Sequence, residues 1–389
     1  MKVNPLRVLV KALILYVVAN ILFAIYNPPI GRISVYNWLV PGRLRFPYER
    51  AENVNLGYNI SVFQDLDAAF ASHVIADGEK PADEYRVILV GDSSIWGFAL
   101  NSTETLSAKL NDLELTACDG RRMRFYNLGY PWSFIFKDLL VLEHARVYEP
   151  DMVLWLFTMR GLTGSDKDIV DFFEGELIVD AKRVQAKYGL EDYTSELTTQ
   201  TFFEQTIIGE RKKIKTDITL QMYGFLWAAT GIDHHLQTWL PWKDTLENSI
   251  EYRHYRTPEE WPQLQDDFML DVLDAAHTMM GDTKIVAVNE PIYISSGSNS
   301  EVRYNKLYPR WAYDRYREFM QGWMAENQYP YLDMWNVIPQ EEFSDFPVHL
   351  YPTGERLLAE SLAPEVLKFS CPEVDESKER VASLALWVY

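Results

Sequence analysis

The chain has 389 residues, 48% hydrophobic and 14% aromatic, enough for one large or two ordinary domains with a sizeable core. A formal net charge of −19 argues against nucleic acid and against an anionic membrane surface as electrostatic partners. Two cysteines, Cys118 and Cys371, are too few for a disulfide framework and lack metal-ligand spacing, so neither a metal nor another cofactor is expected.

Val8 to Tyr26 is a 19-residue apolar run interrupted only by Lys11 and Asn20. At about 1.5 Å per residue it is long enough to cross a bilayer. Lys2, Arg7 and Lys11 favour a cytoplasmic N-terminus, although Arg32, Arg43 and Arg45 follow closely. A cleaved signal peptide is the rival reading, but Phe23-Ala24-Ile25-Tyr26 makes a poor cleavage site. The expectation is an uncleaved single-pass anchor over 1–27, with the rest of the chain outside the cytoplasm. Residues 28–84, beginning with the Pro28-Pro29 pair, two Gly-Arg pairs and scattered aromatics, read as an extended lead-in lying on the folded body or the membrane surface. Within it Phe63 to Ile75 fits a short helix, and His73 reads as structural.

Arg86 to Val90 has the continuous apolar character of a strand buried on both faces, and it ends at Gly91-Asp92-Ser93. Asn101-Ser102-Thr103-Glu104 is an N-cap signal, after which Leu106, Leu110 and Leu113 fall on one helix face. A serine between strand and helix stands at the carboxyl edge of a sheet, where open α/β sheets bind ligands. The plainer reading is that Asp92 and Ser93 merely cap the helix. A second strand runs from Arg124 towards Gly129, and a helix spans Phe134 to Tyr148. The third strand, to Phe157, leads into Thr158-Met159-Arg160-Gly161.

Residues 162–256 read as a mainly helical insertion. It holds Arg211-Lys212-Lys213-Ile214-Lys215 and the run Leu220 to Ala229, too short to span a membrane. A core helix, an interfacial helix and a lid all fit that run. Asp233-His234-His235 reads as a solvated loop, because adjacent histidines rarely point at one ion. Thr257-Pro258-Glu259-Glu260 is a helix start, with Phe268, Val272, Ala275, Ala276 and Met279 as its buried stripe. Lys284 to Asn289 is the fourth strand, with Glu290-Pro291 at its carboxyl end. Trp311 to Glu326 is an aromatic helix and Tyr331 to Asp333 a short fifth strand. Asp345 and His349 precede Pro352-Thr353-Gly354 and a last helix carrying Leu357, Leu358 and Leu362.

Three of these blocks together resemble the SGNH (GDSL-type) hydrolase superfamily: Gly91-Asp92-Ser93, Asn127-Leu128-Gly129, and Asp345 with His349 ahead of the Pro-x-Gly turn. The likeness covers about 85–160 and 281–370, roughly half of the chain. It implies an α/β, flavodoxin-like three-layer sandwich over 85–370, with a parallel sheet of order 2-1-3-4-5 and a tail at 371–389. It also implies Ser93 as nucleophile, His349 as its base, Asp345 as the acid that orients the histidine, and the N–H groups of Ser93 and Gly129 as oxyanion donors. Two positions depart from the pattern. In the family a Gly-x-Asn-Asp block follows the third strand; here Thr158-Met159-Arg160-Gly161 lacks that asparagine, and Arg160 stands about where it belongs. A guanidinium can donate to an oxyanion, and it can equally pair with a structural carboxylate. The usual Asp-x-x-His spacing would put the acid at Phe346, so Asp345 reaches the histidine only if the turn bulges, with Asp333 in reserve.

In the implied strand order the first and last helices lie side by side, so Cys118 and Cys371 come to one end of the molecule, away from the site. An extracytoplasmic location lets them oxidise to a disulfide. A membrane-tethered member of this superfamily is similar to the alginate O-acetyltransferases and the D-alanine transfer protein of teichoic acids. The reading is therefore a membrane-anchored serine acyl-ester hydrolase or O-acyltransferase acting on an acylated cell-envelope glycan or lipid. The alternative is a catalytically silent SGNH-like domain that scaffolds a membrane complex, with a membrane protein as partner.

Overall fold

The computed structural model describes residues 4–32, 35–48, 63, 65–163, 169, 172–230, 257–259 and 261–371. Among them five parallel strands form one sheet in the order β2-β1-β3-β4-β5. They are β1 (Glu84–Val90), β2 (Arg122–Asn127), β3 (Met152–Phe157), β4 (Lys284–Asn289) and β5 (Tyr331–Asp333). β1 sits between β2 and β3, and every one of its residues is buried. A strand covered on both faces has no solvent side to mark with polar residues, hence its unbroken apolar sequence. Its side chains still alternate. Ile88 and Val90 join Val153 and Trp155 in one core, whereas Val87 and Leu89 join Leu154 and Leu156 in the other. This is the flavodoxin-like sandwich expected from the sequence.

The described helices are, in chain order, α1 (Pro5–Tyr26), α2 (Tyr36–Leu39), α3 (Leu66–Ala71), α4 (Ser93–Trp96), α5 (Leu106–Asp112), α6 (Ile135–Ala145), α7 (Met159–Thr163), α8 (Glu176–Tyr188), α9 (Arg211–Thr230), α10 (Leu270–Met280), α11 (Arg310–Glu326) and α12 (Pro352–Ser370). α5 and α12 pack together on one face of the sheet, through Leu106, Leu110, Leu358, Leu362 and Val366. α6, α10 and α11 cover the other, through residues such as Leu139, Val272 and Tyr316.

Three local expectations are corrected. The helix after Ser93 is two helices. Glu104 does accept from the Asn101 N–H, at 2.9 Å, but the chain turns once more and α5 starts at Leu106. Thr257 does not open a long helix: its carbonyl accepts from Trp261 N–H at 2.9 Å, and the turn then stops. Pro262 lacks a donor and drives Trp261 away from the helical region, so α10 begins only at Leu270, although its predicted stripe is buried as expected. The lead-in is wound into the body rather than laid on it. Phe46, Phe63 and Phe70 are core residues, and Arg43 exchanges backbone hydrogen bonds with Ser72 and Val74. Asp233-His234-His235 lies outside the described residues, as does the tail beyond Cys371.

α1 is 22 residues long, about 33 Å, and it is long and apolar enough to cross a membrane. The side chain of Asn4 caps its first turn, and only Asn20 and Ala24 are buried along it. At the far end of the α5–α12 pair, Cys118 and Cys371 form a disulfide, with their Cα atoms 5.0 Å apart.

Candidate active site

The sharp turn after β1 makes Ser93 the first residue of α4, half-buried at the carboxyl edge of the sheet. Asp92 caps that helix, its side chain accepting from Ser94 N–H at 2.9 Å. Capping and exposure of a hydroxyl are thus both present, on neighbouring residues. Ser93 Oγ lies 2.7 Å from His349 Nε2, and His349 Nδ1 lies 3.0 Å from Asp345 Oδ1. With Nε2 accepting from the serine, the ring proton sits on Nδ1 and is donated to the carboxylate.

The loop that carries these two residues explains the extra position between them. Phe343 and Leu350 form an antiparallel bridge, Ser344 N–H donates to the His349 carbonyl at 2.8 Å, and His349 N–H donates to the Phe346 carbonyl at 3.0 Å. The chain doubles back, which brings Asp345 across from His349. Phe346, where the usual spacing would place the acid, packs its ring 5.1 Å from the imidazole, and Phe98 stacks on it at 5.0 Å. Burial works against charge on Asp345, but its hydrogen bond to His349, its attraction to that ring and the Ser344 hydroxyl together outweigh burial and hold its carboxyl below the usual range. Asp333 is engaged elsewhere, with Arg317 at 2.7 Å and Asn289 at 2.8 Å.

Gly129 needs a correction of reason. Its N–H donates to Asn127 Oδ1, at 3.1 Å, within its own turn. What demands glycine is the backbone of α4: a Cβ here would lie 2.6 Å from Trp96 N. Asn127 completes this clamp by donating from its side chain to the Ile95 carbonyl. Arg160 stands exposed on α7, at the same edge of the sheet, where its charge reaches Lys306 and Tyr308. Lys306 Nζ lies over the Phe346 ring at 4.5 Å. His73 is structural: it is fully buried, bonded to the Asn127 carbonyl at 3.0 Å, and its pKa is pushed down to about 4, by burial above all.

Several supporting residues carry no signal that sequence reasoning used. Arg45 donates to the carbonyls of Trp96, Gly97 and Leu100 and lies 4.1 Å over the Trp96 ring, closing the end of α4. Lys137, fully buried and paired with Asp138, donates to the Gly91 carbonyl at 2.9 Å, just before the Ser93 turn. Ser94 donates to Glu290, whose buried carboxyl is held well above its usual range, first by desolvation and then by the charge of Asp92. Glu290-Pro291 at the end of a buried strand was the one visible hint. No group of residues suited to a metal ion occurs among the described residues.

A hydroxyl, an imidazole and a carboxylate thus stand in one hydrogen-bonded line, at the carboxyl edge of a parallel sheet on a flavodoxin-like frame, the arrangement that serine-hydrolase chemistry requires. No family model matches the sequence, and no curated protein matches it. Solved structures that are similar to it include a protein described as a lipolytic member of the G-D-S-L family from Desulfitobacterium hafniense, at 12% identity and TM-score 0.32, covering 72% of this chain and 98% of that one. A carbohydrate acetylesterase family member from Sinorhizobium meliloti is 11% identical at TM-score 0.31, covering 72% and 96%. An aryl esterase from M. smegmatis is 10% identical at TM-score 0.32, covering 72% and 97%. These values are too low to carry an activity from those proteins to this chain.

Proposed function

We propose that this protein is a serine acyl-ester hydrolase or O-acyltransferase of the SGNH type, tethered by α1 with its catalytic domain, 85–370, outside the cytoplasm. The observation that carries the reading is the line Ser93–His349–Asp345. Ser93 Oγ attacks the ester carbonyl while its proton passes to His349 Nε2. Asp345 holds the imidazole in the right tautomer and stabilises the imidazolium that forms. The tetrahedral oxyanion is met by the backbone N–H of Ser93 and, from the side chain, by Arg160. Collapse expels the alcohol with the proton from His349. A water or an acceptor hydroxyl, activated by the same histidine, then releases the acyl group from Ser93. The tether supports an acylated glycan or lipid of the cell envelope as substrate.

A second reading has an observation of its own. With Gly129 N–H engaged by Asn127 and no asparagine after the third strand, the oxyanion site is short of donors, which favours a silent SGNH-like scaffold subunit bound to a membrane protein. A fluorophosphonate probe separates the two. Labelling of the full chain that Ser93→Ala and His349→Ala abolish supports the enzyme. Well-folded protein that takes no label discards it.

A further inference from the structure

α9 shows a face that the body leaves uncovered. Ile218, Met222, Tyr223 and Leu226 are between 45% and 59% exposed. Ile218, Met222 and Leu226 follow at intervals of four, on one side of the helix. Just ahead, Phe202 and Phe203 are 55% and 63% exposed. Single exposed apolar residues are ordinary, but an ordered row of them calls for an occupant. The other side of α9 is fixed to the protein: Gln221 accepts from Val35 N–H at 2.8 Å, Lys213 pairs with Asp65 at 3.2 Å, and Leu220 is buried.

α1 sets the level at which that row stands. Ile208 N–H donates to Asn20 Oδ1 at 3.2 Å, and Asn20 lies about 9 Å inside the end of α1 at 1.5 Å per residue. α9 also packs on α2 and on the turn Ile30–Arg32, both just after α1. Helices that lie in a membrane surface bury their apolar face about 5–10 Å deep, the same level. Charge agrees with this placement. Arg211, Lys212 and Lys215 are exposed at the front of α9, in a chain whose total is −19, and a local cationic cluster suits anionic headgroups.

We propose that α9 and the Phe202–Phe203 turn form a second membrane contact, an interfacial helix seated in the bilayer beside α1, with lipid as its occupant. The proposal rests on reading α1 as a membrane span. One span leaves a domain free to swivel about its tether, and a second contact fixes which way the site faces. The described cysteines are both in the disulfide, so a single introduced thiol can be labelled with an environment-sensitive nitrobenzoxadiazole dye. The full chain carrying Phe203→Cys or Met222→Cys is reconstituted in phosphatidylcholine vesicles with and without a 5-doxyl lipid quencher. Leu13→Cys in α1 and Glu360→Cys on α12, beyond the opposite face of the sheet, serve as comparators. Labels at 203 and 222 are expected to shift to the blue and lose intensity to the quencher, as at 13 and unlike 360. Quenching at 13 with 203 and 222 behaving like 360 overturns the proposal and leaves the anchor standing. No quenching at 13 removes the anchor, and the proposal with it. Self-quenching between labels at 222 without a doxyl effect places a second copy on this face and overturns the proposal as well.

Discussion

Glu355 sits in the first turn of α12, directly after the loop that carries His349, and is fully buried. Burial pushes its carboxyl up from 4.5 to about 8, against a small opposing pull from Lys109. Each tenfold change in proton affinity is worth about 1.4 kcal/mol, so the folded state bears about 5 kcal/mol of penalty once the pH exceeds 8, an upper figure because the surroundings relax. The sign follows from proton counts. Below pH 4.5 the carboxyl is protonated whether the chain is folded or not, and it costs nothing. Between 4.5 and about 8 the folded chain keeps a proton that the unfolded chain has lost, so stability falls as pH rises. Glu355→Gln removes the titration and keeps the shape. The variant should match the wild type near pH 4 and exceed it by an increasing margin up to pH 9. Thermal unfolding of the detergent-solubilised full chain across that range reads the difference directly. A variant that is less stable than wild type at pH 9 would mean an ionised, well-partnered Glu355, and would refute the reasoning.

Three further outcomes are expected. Turnover of p-nitrophenyl acetate should fall about a thousandfold or more with Ser93→Ala or His349→Ala, and equally or less with Asp345→Asn; if Asp333→Asn is the crippling change instead, the acid is misassigned. Membrane fractions should retain the full-length chain through a carbonate wash, and a soluble mature protein starting near residue 27 would show a cleaved signal peptide. Neither cysteine should react with a thiol reagent in denaturant without reductant, and reduction should lower stability by up to about 5 kcal/mol, the loop-entropy figure for residues 253 apart.

The sheet was legible because parallel strands covered on both faces cannot hide their apolar runs, as β1 and β3 show. Helix starts were less so. The capping pattern at Thr257 is overridden by Pro262 five residues on, and the pattern at Asn101 marks a turn before α5 rather than the helix itself. What the sequence does not display is the set of long-range clamps on the nucleophile turn. Arg45 reaches carbonyls 51 to 55 residues away, and Ser94 meets Glu290 across 196. A cation or a carboxyl in such a role has no local periodicity to betray it. At Gly129 the sequence suggests close approach to a ligand, and the structure shows close approach to the backbone of α4.

The spacing of Asp345 and His349 shows why a motif can be offset by one residue and keep its geometry. Their separation along the chain is set by the loop between Phe343 and Leu350, and the chemistry asks only that a carboxylate oxygen lie within reach of Nδ1. Closing that loop with an antiparallel bridge faces the two side chains across a tight turn, so a fourth step along the chain costs no reach. The displaced position then becomes available for packing, and Phe346 uses it to pack against the imidazole, as Phe98 also does. These apolar neighbours leave His349 buried, and its bond to the half-buried Asp345 gains from the lower local dielectric. The extra residue therefore leaves the hydroxyl–imidazole–carboxylate line intact. The departure that would bear on rate in the proposed enzyme is on the oxyanion side, where Asn127 occupies the N–H of Gly129 and the proposal relies on Arg160 in place of an amide.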